Sequence, residues 1–165
     1  MPEYPDVNPG DGREETANER SDRNWSELLQ EFRVLQTGTQ ILAGFLLTLP
    51  FQQRFEELSP VDLTVYLVLV VLAAVLTLLA LSSVSLHRLL FRQGAKEQLV
   101  RTANVILIVC LALSSLLFTG IVTFIFDFLL PAPAGIIAGS VVFVLALALW
   151  IVLPLAVRPR RRAQS

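Results

Sequence analysis

The residues of this chain best suited to chemistry are few and isolated. His87 is the only histidine and Cys110 the only cysteine among 165 residues. A lone cysteine inside an apolar run cannot close an intramolecular disulfide, and no metal-ligand spacing surrounds it. Cys110 reads as a small apolar packing residue. A single histidine excludes a His-rich metal site. His87 could titrate near neutral pH as a sensor or relay, or anchor a helix end at an interface. Coupled ion transport usually relies on an intramembrane carboxylate with a shifted pKa. The nearest candidate, Asp127, stands at the edge of an apolar run rather than within one. HExxH, P-loop, nucleophile-elbow and CxxC patterns are all absent. The reading is of a non-enzymatic chain without cofactor or metal.

The remaining polar residues are informative through their spacing. Arg33, Gln36, Gln40, Gly44 and Thr48 follow steps of three and four, so they share one helix face. An amide in hydrocarbon is costly unless hydrogen-bonded. That face must therefore meet other helices or water, as interhelical glue or as a ligand or ion path. Ala73, Thr77, Ala80 and Ser83 form a small-residue face leading to His87. Glu27 and Glu31 precede the first apolar run, and Arg88 and Arg92 follow the second. If those runs pack side by side, the four could form an ion-pair cluster; the alternative is independently solvated charges. The candidate polar or binding face thus comprises Arg33, Gln36, Gln40, Thr48, His87, Arg88 and Arg92. Gly135 and Gly139 make a GxxxG pattern, for tight packing within the chain or in a dimer. Arg158, Arg160, Arg161 and Arg162 could attract anionic lipid headgroups at about 1 kcal/mol each.

The elements that must carry these residues are long and apolar. Hydrophobic residues make up 54% of the chain and charged residues 16%, where soluble domains carry about a quarter charged. A net charge of −1 gives no footprint for nucleic acid. The pattern predicts an all-α fold: a four-transmembrane-helix bundle with an N-terminal amphipathic cytoplasmic helix. Residues 1–21 are acidic and rich in Pro and Gly, which predicts a disordered cytoplasmic tail. They also lack the apolar core of a signal peptide. Asn24 and Glu27 have capping-box spacing, which predicts a helix start near Asn24. Trp25, Leu28, Leu29, Phe32 and Leu35 line its apolar face. The membrane domain is residues 22–157, with spans at about 34–51, 63–86, 102–126 and 134–157. Ser59 as N-cap, Pro60 at the first position and Asp62 just inside predict the second start. Residues 158–165 form a basic tail.

Charge asymmetry sets the orientation. Arg13, Arg20, Arg23 and Arg33 precede the first span. Arg88, Arg92, Lys96 and Arg101 lie between the second and third, and the terminal arginines follow the fourth. Only Arg54 lies in the opposite set of loops. Basic residues near span ends favour the cytoplasm, so both termini are expected there, and an even number of spans follows.

Several stretches resemble one known family. They are Asn18-Glu19-Arg20, Asp22 to Trp25, Glu27 to Glu31, Arg33-Val34, Gln36 to Gly38, Gln40 to Leu42 and Phe45 to Phe51. The likeness resumes at Tyr66 and at His87 to Lys96. Together they resemble a bacterial membrane-protein family of unknown function. The resemblance implies a layout of several spans with a polar first segment, in a bacterial plasma membrane, and carries no established activity. Some members are labelled sodium/proton antiporters, so a small oligomeric transporter or channel subunit is the alternative to a protein acting by contact. The expected partners are the lipid bilayer and either a second copy of the chain or another membrane protein.

Overall fold

The computed structural model describes residues 15–90 and 96–157. Among these, all regular structure is helical. Helix α1 runs Ala17–Thr48, α2 Pro60–Leu90, α3 Lys96–Leu129 and α4 Ala134–Leu147; a short α5, Leu153–Val157, ends the described chain. The fold is an all-α four-helix bundle. Four helices are long and apolar enough to cross a membrane, the fourth being the stretch Ala134–Ala156.

Helix α1 begins earlier than the expected start near Asn24. Thr16 is its N-cap: the Glu19 amide donates to Thr16 Oγ1 at 3.3 Å, and the Thr16 amide donates to Glu19 Oε2 at 2.9 Å. Thr16-x-x-Glu19 is thus the capping box in use. The helix propagates through Asn24 because ion pairs hold the extra turns. Arg23 meets Glu15 at 3.0 Å and Glu27, one turn on, at 3.1 Å. Residues 17–21, expected to be disordered, are therefore helical. The helix then continues unbroken through the amphipathic stretch into the first apolar segment.

The cap carries a pH signature. The Thr16 backbone amide first, and its hydroxyl second, hold the Glu19 carboxyl below its ordinary pKa. A depressed carboxyl pKa contributes stability at neutral pH that is lost as pH falls through the folded-state value. Hydrogen-exchange protection at the start of α1 should therefore drop as the solution is acidified below the usual glutamate range. Thr16→Ala should remove about 1 kcal/mol from that turn at neutral pH. Protection that is flat with pH in the native chain would contradict the cap.

Pro50 cannot continue an α-helix and disfavours helical geometry just before it. α1 accordingly stops at Thr48 in two short 3₁₀ turns, Leu49–Phe51 and Gln53–Glu57. α2 starts as its sequence predicts: the Asp62 amide donates to Ser59 Oγ, and Ser59 Oγ donates back to Asp62 Oδ2 at 2.7 Å. α2 and α3 both run past their apolar cores, and at 1.5 Å per residue α1 to α3 are each about 45–50 Å long. Leu28 and Phe32 of α1, Ala80 of α2 and Ala103 of α3 belong to one core.

Helices α1, α2 and α3 pack mutually, and α3 also carries α4. The small face of α2 is inward: Ala73, Ala80 and Ser83 are buried, and the two alanines share one core with Ala103 and Cys110 of α3. Leu76 and Leu117 are fully enclosed. Cys110 is buried as a packing residue. The fourth segment is not the uniform helix its hydropathy implied. Pro154 lacks an amide proton and its ring crowds the carbonyl four residues back. The chain widens into a π-helical turn at Ala148–Val152 to accommodate it.

Candidate functional site

The first helix holds the expected polar face, and most of that face points away from the bundle. The inward side of α1 is built from Leu28, Phe32, Thr39 and Leu46, all buried. Arg33, Gln40, Gly44 and Thr48 are exposed, and Gln36 is half-buried. The hydroxyls of this helix are satisfied locally. Thr37 donates to the Arg33 carbonyl at 2.9 Å and Thr48 to the Phe45 carbonyl at 2.7 Å. The Arg33 guanidinium donates to Gln30 Oε1 at 3.1 Å. The Gln36 and Gln40 amides make no hydrogen bond among the described residues.

The glycines separate into two groups. A Cβ at Gly120 would lie 2.5 Å from Leu69 Cδ2, and one at Gly135 or Gly139 would collide with Asp127 or Thr123. At all three a neighbouring helix occupies the space, at Gly120 with the movable tip of Leu69 and at Gly139 with Thr123 and the Thr119 backbone. At Gly38 and Gly44 nothing lies within 4 Å. The GxxxG pattern is therefore used inside the chain, to seat α4 on α3. Its receiving surface, Thr119, Thr123 and Asp127 at steps of four, was not singled out from the sequence. The spacing was legible there, but which helix it faced was not.

Two cavities lie along the α1–α3 seam and share Leu42. The one near the start of α1 has about 470 Å³, with Gln30, Glu31, Thr39 and Ser114 as its polar lining. The other, of about 520 Å³, is apolar apart from Thr48 and Gln52. Neither contains Gln36 or Gln40, and of the stripe only Thr48 lines one of the two. Among the described residues no group of three His, Cys, Asp or Glu side chains could hold a metal.

Of the expected ion-pair cluster, Glu27 and Glu31 are the members whose side chains are described. Glu27 pairs with Arg23 on its own helix, and Glu31 borders the cavity near the start of α1. His87 and Arg88 fall in the last turn of α2, with side chains outside the described set. Arg92, Arg158, Arg160, Arg161 and Arg162 lie outside the described residues. At the opposite end, an aromatic cluster missed by sequence reasoning ties the α1–α2 connection to α3. The Tyr66 hydroxyl donates to the Leu46 carbonyl at 3.0 Å, and Phe55 meets the Tyr66 ring edge-on at 5.1 Å between centroids. Arg54 sits 4.8 Å from the Phe128 ring centre. These partners are 20 or more residues apart in part, so no local pattern announces them.

No curated protein and no solved structure matches this chain. Residues 14–154 match a family model described only as a family of unknown function, DUF6328, and the chain belongs to that family.

Proposed function

We propose that this is a small integral membrane protein that crosses the bilayer four times, with both ends on the cytoplasmic side. It catalyses no reaction and acts through contacts with lipid and with other membrane helices. The single observation that carries the reading is the outward polar face of α1. With Pro50 near the outer surface, Gln40 lies about 15 Å deeper at 1.5 Å per residue, close to the middle of a hydrocarbon core about 30 Å thick. A primary amide left unpaired there costs about 4–8 kcal/mol by transfer to a non-hydrogen-bonding solvent. A partner helix removes that penalty. The arginine bias of the loops supports the orientation, and the terminal arginines suit anionic headgroups.

Transport through a single copy has little to work with. The two seam cavities are mostly apolar, and no carboxylate lies in the middle of a span. In sealed proteoliposomes, sodium and proton fluxes should equal those of empty vesicles. A flux abolished by Gln40→Leu or His87→Ala would replace this reading with the transporter one. A reporter fused after Ser165 should be active only in the cytoplasm, and activity on the other side would reverse the orientation.

A further inference from the structure

We infer that the partner of the α1 stripe is a second copy of the same chain, bound as a parallel dimer about a two-fold axis along the membrane normal. The inference rests on the reading that α1 spans the bilayer. A two-fold axis sets each residue of the stripe against the same stripe on the other copy. Most groups gain nothing from meeting themselves, but a primary amide does. It carries two donors and an acceptor, so the two Gln40 side chains can each donate to the other's oxygen. Gln36, one turn nearer the cytoplasm, can repeat the exchange.

The glycines give an independent argument. Gly120, Gly135 and Gly139 each face a group that a side chain would strike, whereas Gly38 and Gly44 face open space, Gly38 beside the α1–α3 cavity and Gly44 on the stripe. Within one chain nothing accounts for the missing side chain of Gly44. One turn beyond Gln40, it lets a second backbone approach closely enough for the amides to meet. Thr48 continues the small face and leaves no polar demand, since its hydroxyl is already bound to Phe45. By the same count the two Arg33 groups lie about 25 Å from Pro50, within one turn of the inner boundary, and their long side chains reach toward water that screens like charges.

The test uses the full-length chain with Cys110→Ala, so that Gly44→Cys supplies the only thiol. Oxidation in native membranes should give a covalent species of twice the chain mass. Val141→Cys, on the exposed side of α4, should give none. In phosphatidylcholine–phosphatidylglycerol vesicles, energy transfer between labelled copies should report association. Gln40→Leu should weaken it about ten-fold, as expected for lost interhelical amide bonds, with helicity unchanged; Gln40→Asn should keep most of it. Cross-linking of Gly44→Cys to a different protein, with the purified chain monomeric, overturns the second copy and leaves the contact reading standing. A thiol at Gly44 that cross-links to nothing in native membranes overturns both. Cross-linking that survives alongside undiminished association of Gln40→Leu overturns the amide pairing.

Discussion

Gly139→Leu should detach α4 from the rest of the protein. A Cβ at this position would run into the Thr123 hydroxyl, with Thr123 Cβ at 3.3 Å and the Thr119 carbonyl at 3.7 Å behind it. Neither neighbour can yield cheaply. Thr123 is β-branched and stiff at χ1, its hydroxyl is bonded to the Thr119 carbonyl at 2.9 Å, and the second obstacle is backbone. Overpacking of this kind typically costs 1–3 kcal/mol, and occasionally more. The upper end, about 3 kcal/mol, is expected because a leucine must fit between two backbones. The consequence is local, since α4 packs chiefly on α3. Unfolding monitored in detergent should show an early transition confined to α4, reported by a probe on Trp150. Gly44→Leu is the control: with open space around it, it should leave the stability of the detergent-solubilised monomer unchanged. Equal damage from both substitutions would mean that the crowded space at Gly139 is not the cause, because glycine-to-leucine favours the helix by propensity at either site.

Leu117→Ala should destabilise the whole bundle by about 2–5 kcal/mol. Leu117 is completely buried, while its neighbour Leu116 is 52% exposed. The two sites share residue type, helix and depth, and differ in what surrounds them. Leu117 lies on α3, the helix that packs against all three others. Removing its side chain opens a void at the point where packing forces converge, and each wall loses dispersion contacts that nothing replaces. Leu116→Ala exchanges contacts with lipid or detergent and should stay within about 0.5 kcal/mol of the parent. Denaturation curves of the pair, measured in the same micelle, check the difference. Similar midpoints would show that the core is loosely packed.

Much of this fold was legible in the chain because its signals are local. The Ser59-Pro60-Val61-Asp62 start needs four residues, and it forms as written. The apolar face Leu28–Phe32 and the small face Ala73–Ala80–Ser83 follow from helical repeat, and both lie in the core. What escaped was non-local or competitive. Thr16 and Asn24 both precede a glutamate by three residues; the Thr16 box is the one in use, with Arg23 paired to Glu15 beyond it. Periodicity placed Gln36 and Gln40 on one face but could not say whether that face met α2, α3 or the outside. The seating of Gly135 and Gly139 on Thr123 and Asp127, and of Arg54 on Phe128, depends on a hairpin and a loop closing in space. The π-helical turn before Pro154 was the one miss with a local cause: an apolar run conceals a proline when only hydropathy is weighed.

The unbroken course of α1 has a mechanical consequence. From the capping box at Thr16 to Thr48 there is no proline and no interruption, so the helix behaves as a stiff rod about 48 Å long. Rotating such a rod by about 10° around its midpoint carries each tip about 4 Å, in opposite directions. A load applied at the charged turn around Arg23 is therefore delivered at the far tip, beside Tyr66 and the aromatic cluster, without a joint to absorb it. Inserting two glycines after Gln36 would supply that joint and uncouple the two ends.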